Sequence, residues 1–472
     1  MRHLILMPLA AGIALAPAGA AVTLIARGTL SGTTDLSGLT GTLENGVAAN
    51  ILGGVGSGIA YAGGNIFLLA PDRGPNATAY NPAIDNTTSY ISRFHTVSLA
   101  LAPSASGAAL PYTLTTALTG TTLFSSPTPL NYGSGAGLGV GPGAPAQNAP
   151  GTFYFTGRSD NYATGLSTNP ANGRFDPEGI RVSNDGASVF VSDEYGPYVR
   201  QFDRATGKLV RTFALPDNLA VANQQPTEPA EIAGNTSGRT TNKGMEGLAI
   251  TPDGKTLVGI MQAPLLQDAA NSATAKLVRI VTIDIATGAT KQFGYNLTTG
   301  SGVSEILAIN NDEFLIDERD GRGLGDGNAA RVKQIFKISL AGAADITNLT
   351  GAAAAAAVVA KPATPFLDLV AALGANGVAA NQVPAKIEGI SFGQDVVLNG
   401  QTLRTLYVVN DNDFVPGVAG PNQFFVFGFT DADLPGFASQ APEPASWGMM
   451  LAGFGLVGAA IRRRARVRFL TA

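Results

Sequence analysis

The strongest constraint on the fold of this 472-residue chain is a hairpin unit that recurs along it. In "DPEGIRVSNDGASVFVSDEYGP", which starts at Asp176, two short β-prone runs flank Asn-Asp-Gly, a tight-turn sequence, and carboxylates stand at both open ends. "GMEGLAITPDGKTLVGIMQAP" follows at Gly244, "VSEILAINNDEFLIDERDG" at Val303 and "KIEGISFGQDVVLNGQTLRTLYVVNDND" at Lys386. A copy at Gly56, "GSGIAYAGGNIFLLAPDRGP", lacks the leading glutamate. The leading acids Glu178, Glu246, Glu305 and Glu388 are spaced by 68, 59 and 83 residues, as in a repeat with variable loops. Repeated four-stranded units predict an all-β fold, a β-propeller whose blades surround a central channel. A hairpin brings its open ends together, so the leading acids and the exit acids belong at one end of the ring.

Further β-prone runs supply the outer strands. "YVRQFDRATGKLVRTFALP" and "LVRIVTIDIATGATKQFGYNL" each read as two strands joined by a turn, and "FHTVSLALAP" and "YTLTTAL" extend the first unit. Five units are assigned in this way, and the region from about 105 to 170 is expected to form a sixth blade around a Gly/Ala/Pro-rich surface excursion at 132–150. Residues 217–241 read as an insertion without period. The alanine-rich stretch 351–377, with helical spacing in "PFLDLVAALG", reads as a helical insertion. A propeller must close its ring, because an open sheet edge invites aggregation. Residues 22–30 are expected to pair beside 423–429 in the last blade.

Both ends of the chain carry addresses. "MRHLILMPLAAGIALAPAGA" has a basic start, an apolar stretch and a small-x-small site, which predicts a signal peptide over 1–20. Near the other end, residues 447–461 are apolar from Trp447 onward and would span only about 22 Å as a helix, against a hydrocarbon core of about 30 Å. Five arginines follow between Arg462 and Arg468. Together with Pro442, Glu443 and Pro444, this segment, 439–472, resembles the PEP-CTERM sorting signal of Gram-negative bacteria: a Pro-Glu-Pro, a short transmembrane helix and a basic tail. The resemblance implies an exosortase partner, membrane contact before processing, and delivery to the periplasm, outer envelope or extracellular matrix. An ordinary single-span anchor is the alternative.

The whole chain carries a net charge of −4; without 1–20 and 441–472, which hold Arg2, five arginines and Glu443, the body carries −9. Such a body is a poor partner for nucleic acid and a good one for divalent cations. No cysteine is present, which excludes disulfides and thiolate chemistry. The body has one histidine, His95, so histidine-based phosphatase chemistry is excluded and a Ser-His-Asp triad would have to use it. "GISFG", around Ser391, matches G-x-S-x-G, but it falls inside a strand instead of a strand–turn–helix elbow and reads as a chance match.

"DPEGIRV…VFVSDEYGPYVRQFD", "GMEGLAI", "KIEGISF", "APDRGP" and "YVVNDND", within about 50–430, resemble the phytase-like family, also described as esterase-like activity of phytase. The resemblance implies a propeller over 21–438 related to calcium-dependent phytases, and hydrolysis of a phosphorylated small molecule. Clustered carboxylates repel unless a cation sits among them. Ca²⁺ takes six to eight oxygen ligands, which suits Glu178, Glu246, Glu305, Glu388, Asp193, Asp317 and Asp411. Glu178, Asp193 and Glu194 are the candidate catalytic acids, with Arg73, Lys243 and Arg319, and also Lys386, to hold phosphate oxygens. Two other readings stay open: a non-enzymatic envelope or exopolysaccharide-binding propeller, and a propeller esterase or lactonase. Basic residues converging on the acids would favour the hydrolase.

Overall fold

The structure is a computed structural model that describes residues 22–77, 87–133, 143–160 and 162–438; the expected signal peptide and the sorting segment lie outside them. Five antiparallel sheets are arranged around one axis. From the axis outward, blade one is Gly58–Tyr61, Ile66–Ala70, Arg93–Pro103 and Tyr112–Leu123. Blade two is Pro177–Val182, Ser188–Asp193, Tyr198–Asp203 and Leu209–Phe213. Blade three is Met245–Ile250, Thr256–Met261, Leu277–Asp284 and Thr290–Asn296; blade four is Gly302–Ala308, Glu313–Arg319, Lys333–Ser339 and Leu367–Asp368. Blade five is Ile387–Phe392, Gln401–Asn410, Asn422–Phe429 and Thr23–Leu30. The first strand of the chain thus lies antiparallel to the last, Thr23 opposite Gly428 and Leu30 opposite Asn422, and closes the ring.

The blade count corrects the expectation of six. Tyr112–Leu123 is the outer strand of blade one, and the chain beyond it contributes only a two-stranded ladder, Ser125–Ser126 against Phe153–Tyr154. That stretch is too rich in turn formers to supply four strands. The core shows the same number. Each of five hydrophobic clusters lies between two neighbouring blades. Leu68, Phe94, Ile180 and Phe202 join blades one and two, and Phe190, Val199, Leu248 and Leu257 join two and three. Val258, Ile280, Ile306 and Phe314 join three and four, Leu315, Ile335, Ile390 and Leu406 join four and five, and Ile59, Phe67, Tyr407 and Phe424 join five to one. Because neighbouring blades cover both faces of a sheet, strands such as Thr256–Met261 and Leu277–Asp284 read as apolar runs without strict alternation.

The two ends of the ring differ. At one end lie the turns joining each inner strand to its neighbour. They are tied to one another: Asn184 Nδ2 donates to the Pro252 carbonyl (2.7 Å), and the Asp253 N–H donates to Asn311 Oδ1 (3.3 Å). At the other end the inner strands begin, and a cavity opens there. The insertion in blade four forms two short helices, Gly351–Ala355 and Leu369–Ala375, the second capped by the Asp368 side chain accepting from the Ala371 N–H. On either side of the first helix the chain covers the exposed edge of Thr290–Asn296, with the Ile346 and Val359 N–H groups donating to the Gln292 and Gly294 carbonyls (both 2.8 Å). Residues 217–241 hold a helical turn and the helix Glu228–Gly234.

Candidate functional site

Each inner strand of blades two to five carries a register shift near its start. Such a bulge re-aims a side chain, here toward the end of the channel. Glu178, Glu246 and Glu388 occupy the bulge and line one cavity of about 710 Å³. The glycine after each lets adjacent inner strands touch: a Cβ on Gly179 would lie 2.4 Å from the Leu248 nitrogen, and one on Gly247 would lie 2.6 Å from the Ile306 nitrogen.

Glu305 stands one place along. In blade three Met245 pairs with Met261 and, after the bulge, Gly247 pairs with Ile260; in blade four Val303 pairs with Glu318 and Glu305 with Asp317. Ser304 therefore holds the position of Glu246, and Glu305 that of the glycine. Its carboxylate accepts from the Leu248 and Ile306 N–H groups (2.9 and 3.0 Å) and lies 3.0 Å from Arg181 Nη2. Arg181 donates to the carbonyls of Ile59 and Ile180 (2.8 and 2.6 Å) and of Ile306 and Ile390 (2.9 and 3.5 Å), on four different blades. This pair plugs the channel beneath the cavity. Burial pushes the Glu305 carboxyl up to about 7 even with Arg181 opposing it.

Two groups of three carboxylates face the cavity end. Asp176, Glu178 and Glu194 form one, and Asp72, Asp411 and Asp413 the other; within each group one oxygen per residue lies within 4.8 Å of the others. Cations are threaded among them. Arg73 Nη1 is 3.1 Å from Asp176 and 3.6 Å from Glu194, and it also donates to Asn242 Oδ1. Lys386 Nζ lies 2.9 Å from Asp411, 4.0 Å from Glu388, and against Asp413. Arg319 bonds Glu388, approaches Glu246 to 3.9 Å and donates to Ser304 Oγ (2.8 Å). Asp413 and Phe414 both have positive φ (51° and 57°), an uncommon pair of conformations for non-glycine residues, and this backbone brings Asp413 back toward Lys386.

Among the described residues, the eight carboxylates Asp72, Asp176, Glu178, Glu194, Glu246, Glu388, Asp411 and Asp413 outnumber the cations Arg73, Arg319 and Lys386 paired with them. Burial, reinforced by neighbouring carboxylates, pushes Glu178 and Glu246 well above the usual range. Burial raises Glu388 despite Lys386 and Arg319, and raises Asp413 despite Lys386. Asp72 is pushed up to about 8 by burial and by Asp411. Burial acts on Asp411 too, but Lys386, the Asp413 N–H and Arg319 together more than offset it and hold the group low. Glu246 Oε1 accepts from Gln262 Nε2 (2.7 Å), while its Oε2 is buried without a hydrogen-bond partner. Crowded, buried, partly unpartnered oxygens of this kind fit a hard divalent cation.

The remaining sequence candidates fall elsewhere. Asp193 does not line the cavity; its oxygens accept from the N–H groups of Asp176, Tyr195 and Gly196 (3.0, 3.2 and 3.1 Å) and so fix the segments bearing Asp176 and Glu194. Asp317 is fully buried outside the cavity lining, and burial raises its carboxyl well above the usual range. Lys243 lines the cavity at its exposed lip, near Lys276 and the turn 298–302. That turn is held by Glu318, which accepts from the Thr298 N–H (3.0 Å) and is paired with Lys361 from the blade-four insertion. Ser391 lies in the strand Ile387–Phe392, accepting from the Tyr61 N–H (3.1 Å) and donating to the Phe392 carbonyl (2.9 Å). His95 is buried on a third strand against Thr121 Oγ1 (2.9 Å), and burial lowers it to about 3. Sequence reasoning passed over Asp72, Asp176, Asp413, Asn242 and Gln262. The first three stand inside the hairpin motifs, one or two residues from an assigned residue.

Residues 50–414 match the phytase-like family described as "Esterase-like activity of phytase". The chain belongs to the phytase-like family. Residues 440–464 match the PEP-CTERM protein-sorting motif. An "Uncharacterized secreted protein" of Arthroderma benhamiae is 31% identical to this phytase-like chain over 205 residues, 36% of the chain and 38% of that protein's length. The sorting motif supports export of this chain. Among solved structures, a putative 6-phosphogluconolactonase from Bacteroides uniformis is 14% identical, with 78% of this chain and 82% of that one covered and a TM-score of 0.29. Hydrazine synthase of Kuenenia stuttgartiensis is 12% identical, with 82% of both chains covered and the same TM-score, 0.29. Likeness at these scores bears on neither fold nor function. Among the described residues no helix is long and apolar enough to cross a membrane; residues 447–461 lie outside them.

Proposed function

We propose that this phytase-like propeller is an exported, calcium-dependent hydrolase of phosphate esters, acting in the cavity at the open end of its channel. The observation that carries the reading is the interleaving of charge: Arg73, Arg319 and Lys386 each touch two or more of the crowded carboxylates. A module built only to bind a neutral polymer has no use for cations at that place. Among the described residues, the apolar side chains at the cavity are Ala263, Pro264, Ala275, Leu297 and Val303, which gives little support to a lactone-binding pocket.

Asp176, Glu178 and Glu194, and Asp72, Asp411 and Asp413, would hold the calcium. When bound, it neutralises phosphate charge and makes water more acidic. Arg73, Arg319 and Lys386 are placed to hold the non-bridging phosphate oxygens, and Lys243 at the lip to draw an anion in. Asp193 acts through its neighbours by fixing the backbone that carries Asp176 and Glu194. Arg181 and Glu305 close the channel below, so substrate enters and product leaves by the same mouth.

Purified protein assayed on phosphate monoesters, phosphate diesters and carboxylic esters, with calcium and with chelator, tests the reading. Phosphate-ester hydrolysis that chelator removes is the expected result. Carboxylic-ester hydrolysis indifferent to chelator would overturn it. Stabilisation by calcium without any hydrolysis would replace it with a binding propeller.

A further inference from the structure

The described chain ends on the face opposite the cavity. The Ala438 N–H donates to the carbonyl of Ile309, at the far end of the blade-four inner strand from Gly302 and Glu305. Asn310 Nδ2 donates to the Gly436 carbonyl (3.0 Å), Lys337 Nζ to that of Pro435 (2.7 Å), and Phe437 packs on Phe392 and Phe429 (ring centroids 4.7 and 5.7 Å). All these partners lie toward the end where the turns at Asn184, Asp253 and Asn311 are tied together. Thr23 lies there too, opposite Gly428.

Eight residues, 439–446, separate this exit from the apolar stretch that begins at Trp447. Fully extended, they reach about 28 Å. To lay the cavity mouth on a bilayer, they would have to run from an inner strand out past three more strands, about 15 Å, and then climb a blade of about six residues, about 20 Å. That path is longer than the linker. We propose that, while the C-terminal segment holds the protein in a bilayer, the propeller sits with its turn face toward the lipid and its cavity facing away. The site is then open to solutes before the tail is cut. Cleavage at the sorting motif changes where the protein is, and leaves access to the cavity unchanged.

The absence of native cysteine makes the test direct. Full-length Asp312→Cys and Thr299→Cys, exposed at the turn face and at the cavity lip, are each labelled with a fluorophore and reconstituted in vesicles carrying headgroup nitroxide lipids. Loss of emission at position 312, with position 299 as bright as in nitroxide-free vesicles, is the expected result. A chain truncated before Pro442 should regain full emission at 312. Quenching at 299 equal to or greater than that at 312 overturns the orientation. Full-length protein that does not stay with the vesicles overturns the attachment on which it depends. Neither readout requires catalytic activity, so the proposal can fail while the hydrolase reading stands.

Discussion

Glu246 and Glu305 begin neighbouring inner strands, yet they live in opposite circumstances. Glu246 sits in a bulge at the cavity with one oxygen unpartnered and carboxylates on several sides. Glu305, one register position further along, turns to the axis, where two N–H groups and Arg181 meet it. The first arrangement is left electrostatically unfinished, and a ligand can finish it. The second is nearly complete within the protein and serves to join blades. The same residue type in the same repeat is therefore a site in one blade and a fastener in the next, and what separates them is a shift of one residue against a bulge.

The sharpest way to break this comparison is at the fastener. Arg181→Ala leaves Glu305 buried without its cation and four strand carbonyls without their donor. A loss of about 3–5 kcal/mol, read by chemical denaturation and the same with or without calcium, is expected. A loss below about 1 kcal/mol would mean that the plug does not hold the ring together.

At the cavity the effect should depend on ligand. Glu178→Gln combined with Glu246→Gln keeps shape and removes two charges, so the calcium-free protein should be no less stable than the parent. The parent should gain about 2.7 kcal/mol at a hundredfold excess of calcium over Kd. The double variant should lose that gain and the phosphoesterase activity with it. Retention of both would return these glutamates to the role of fasteners.

The pH dependence sharpens the contrast further. Glu178, Glu246, Glu388 and Asp72 hold protons in the folded chain at pH values where the unfolded chain, with carboxyl pKa values of about 4, has lost them. Their contribution to stability is therefore complete below about pH 4 and declines as pH rises above it, for Asp72 through about 8. Asp411, held low by Lys386, the Asp413 N–H and Arg319 in spite of its burial, titrates below that window. Melting temperature in chelator should fall between pH 5 and pH 8, and calcium should flatten or reverse the slope. A calcium-free protein that grows more stable over that interval would contradict the assignment of crowded, unrelieved acids.

The smallest effect belongs to the apparent nucleophile. Ser391→Ala removes an acceptor for the Tyr61 N–H, at a cost of about 1 kcal/mol, and should leave hydrolysis unchanged. Abolished hydrolysis in this variant would hand the chemistry to a serine esterase.

Much of this was legible in the chain. The recurring hairpins, each with its leading acid and polar turn, carried the propeller, the shared end of Glu178, Glu246 and Glu388, and closure by the first strand. These features arise from local chemistry: turn residues set where the chain reverses, and apolar runs set what must be covered. Asp72 and Asp413 were harder to see. Each comes after the second strand of its hairpin by a residue or more; the turn at Asp72–Gly74 brings Asp72 to the cavity, and the turn at Asp411–Asp413 brings Asp413 against Lys386 in its lining.

Sequence by itself determined that this is a repeated, closed, all-β body followed by a sorting motif, because strand, turn and sorting signals are written in neighbouring residues. Only the tertiary structure decided that the ring has five blades, since a blade exists where an interface between sheets is filled, and the stretch after Leu123 fills none of its own. Only the tertiary structure separated Glu305 from its sister glutamates, since a bulge is a property of paired strands and a single strand's sequence does not reveal it. It also decided which acids crowd together, because residues as distant as Asp72 and Asp411 meet only when the last blade closes on the first.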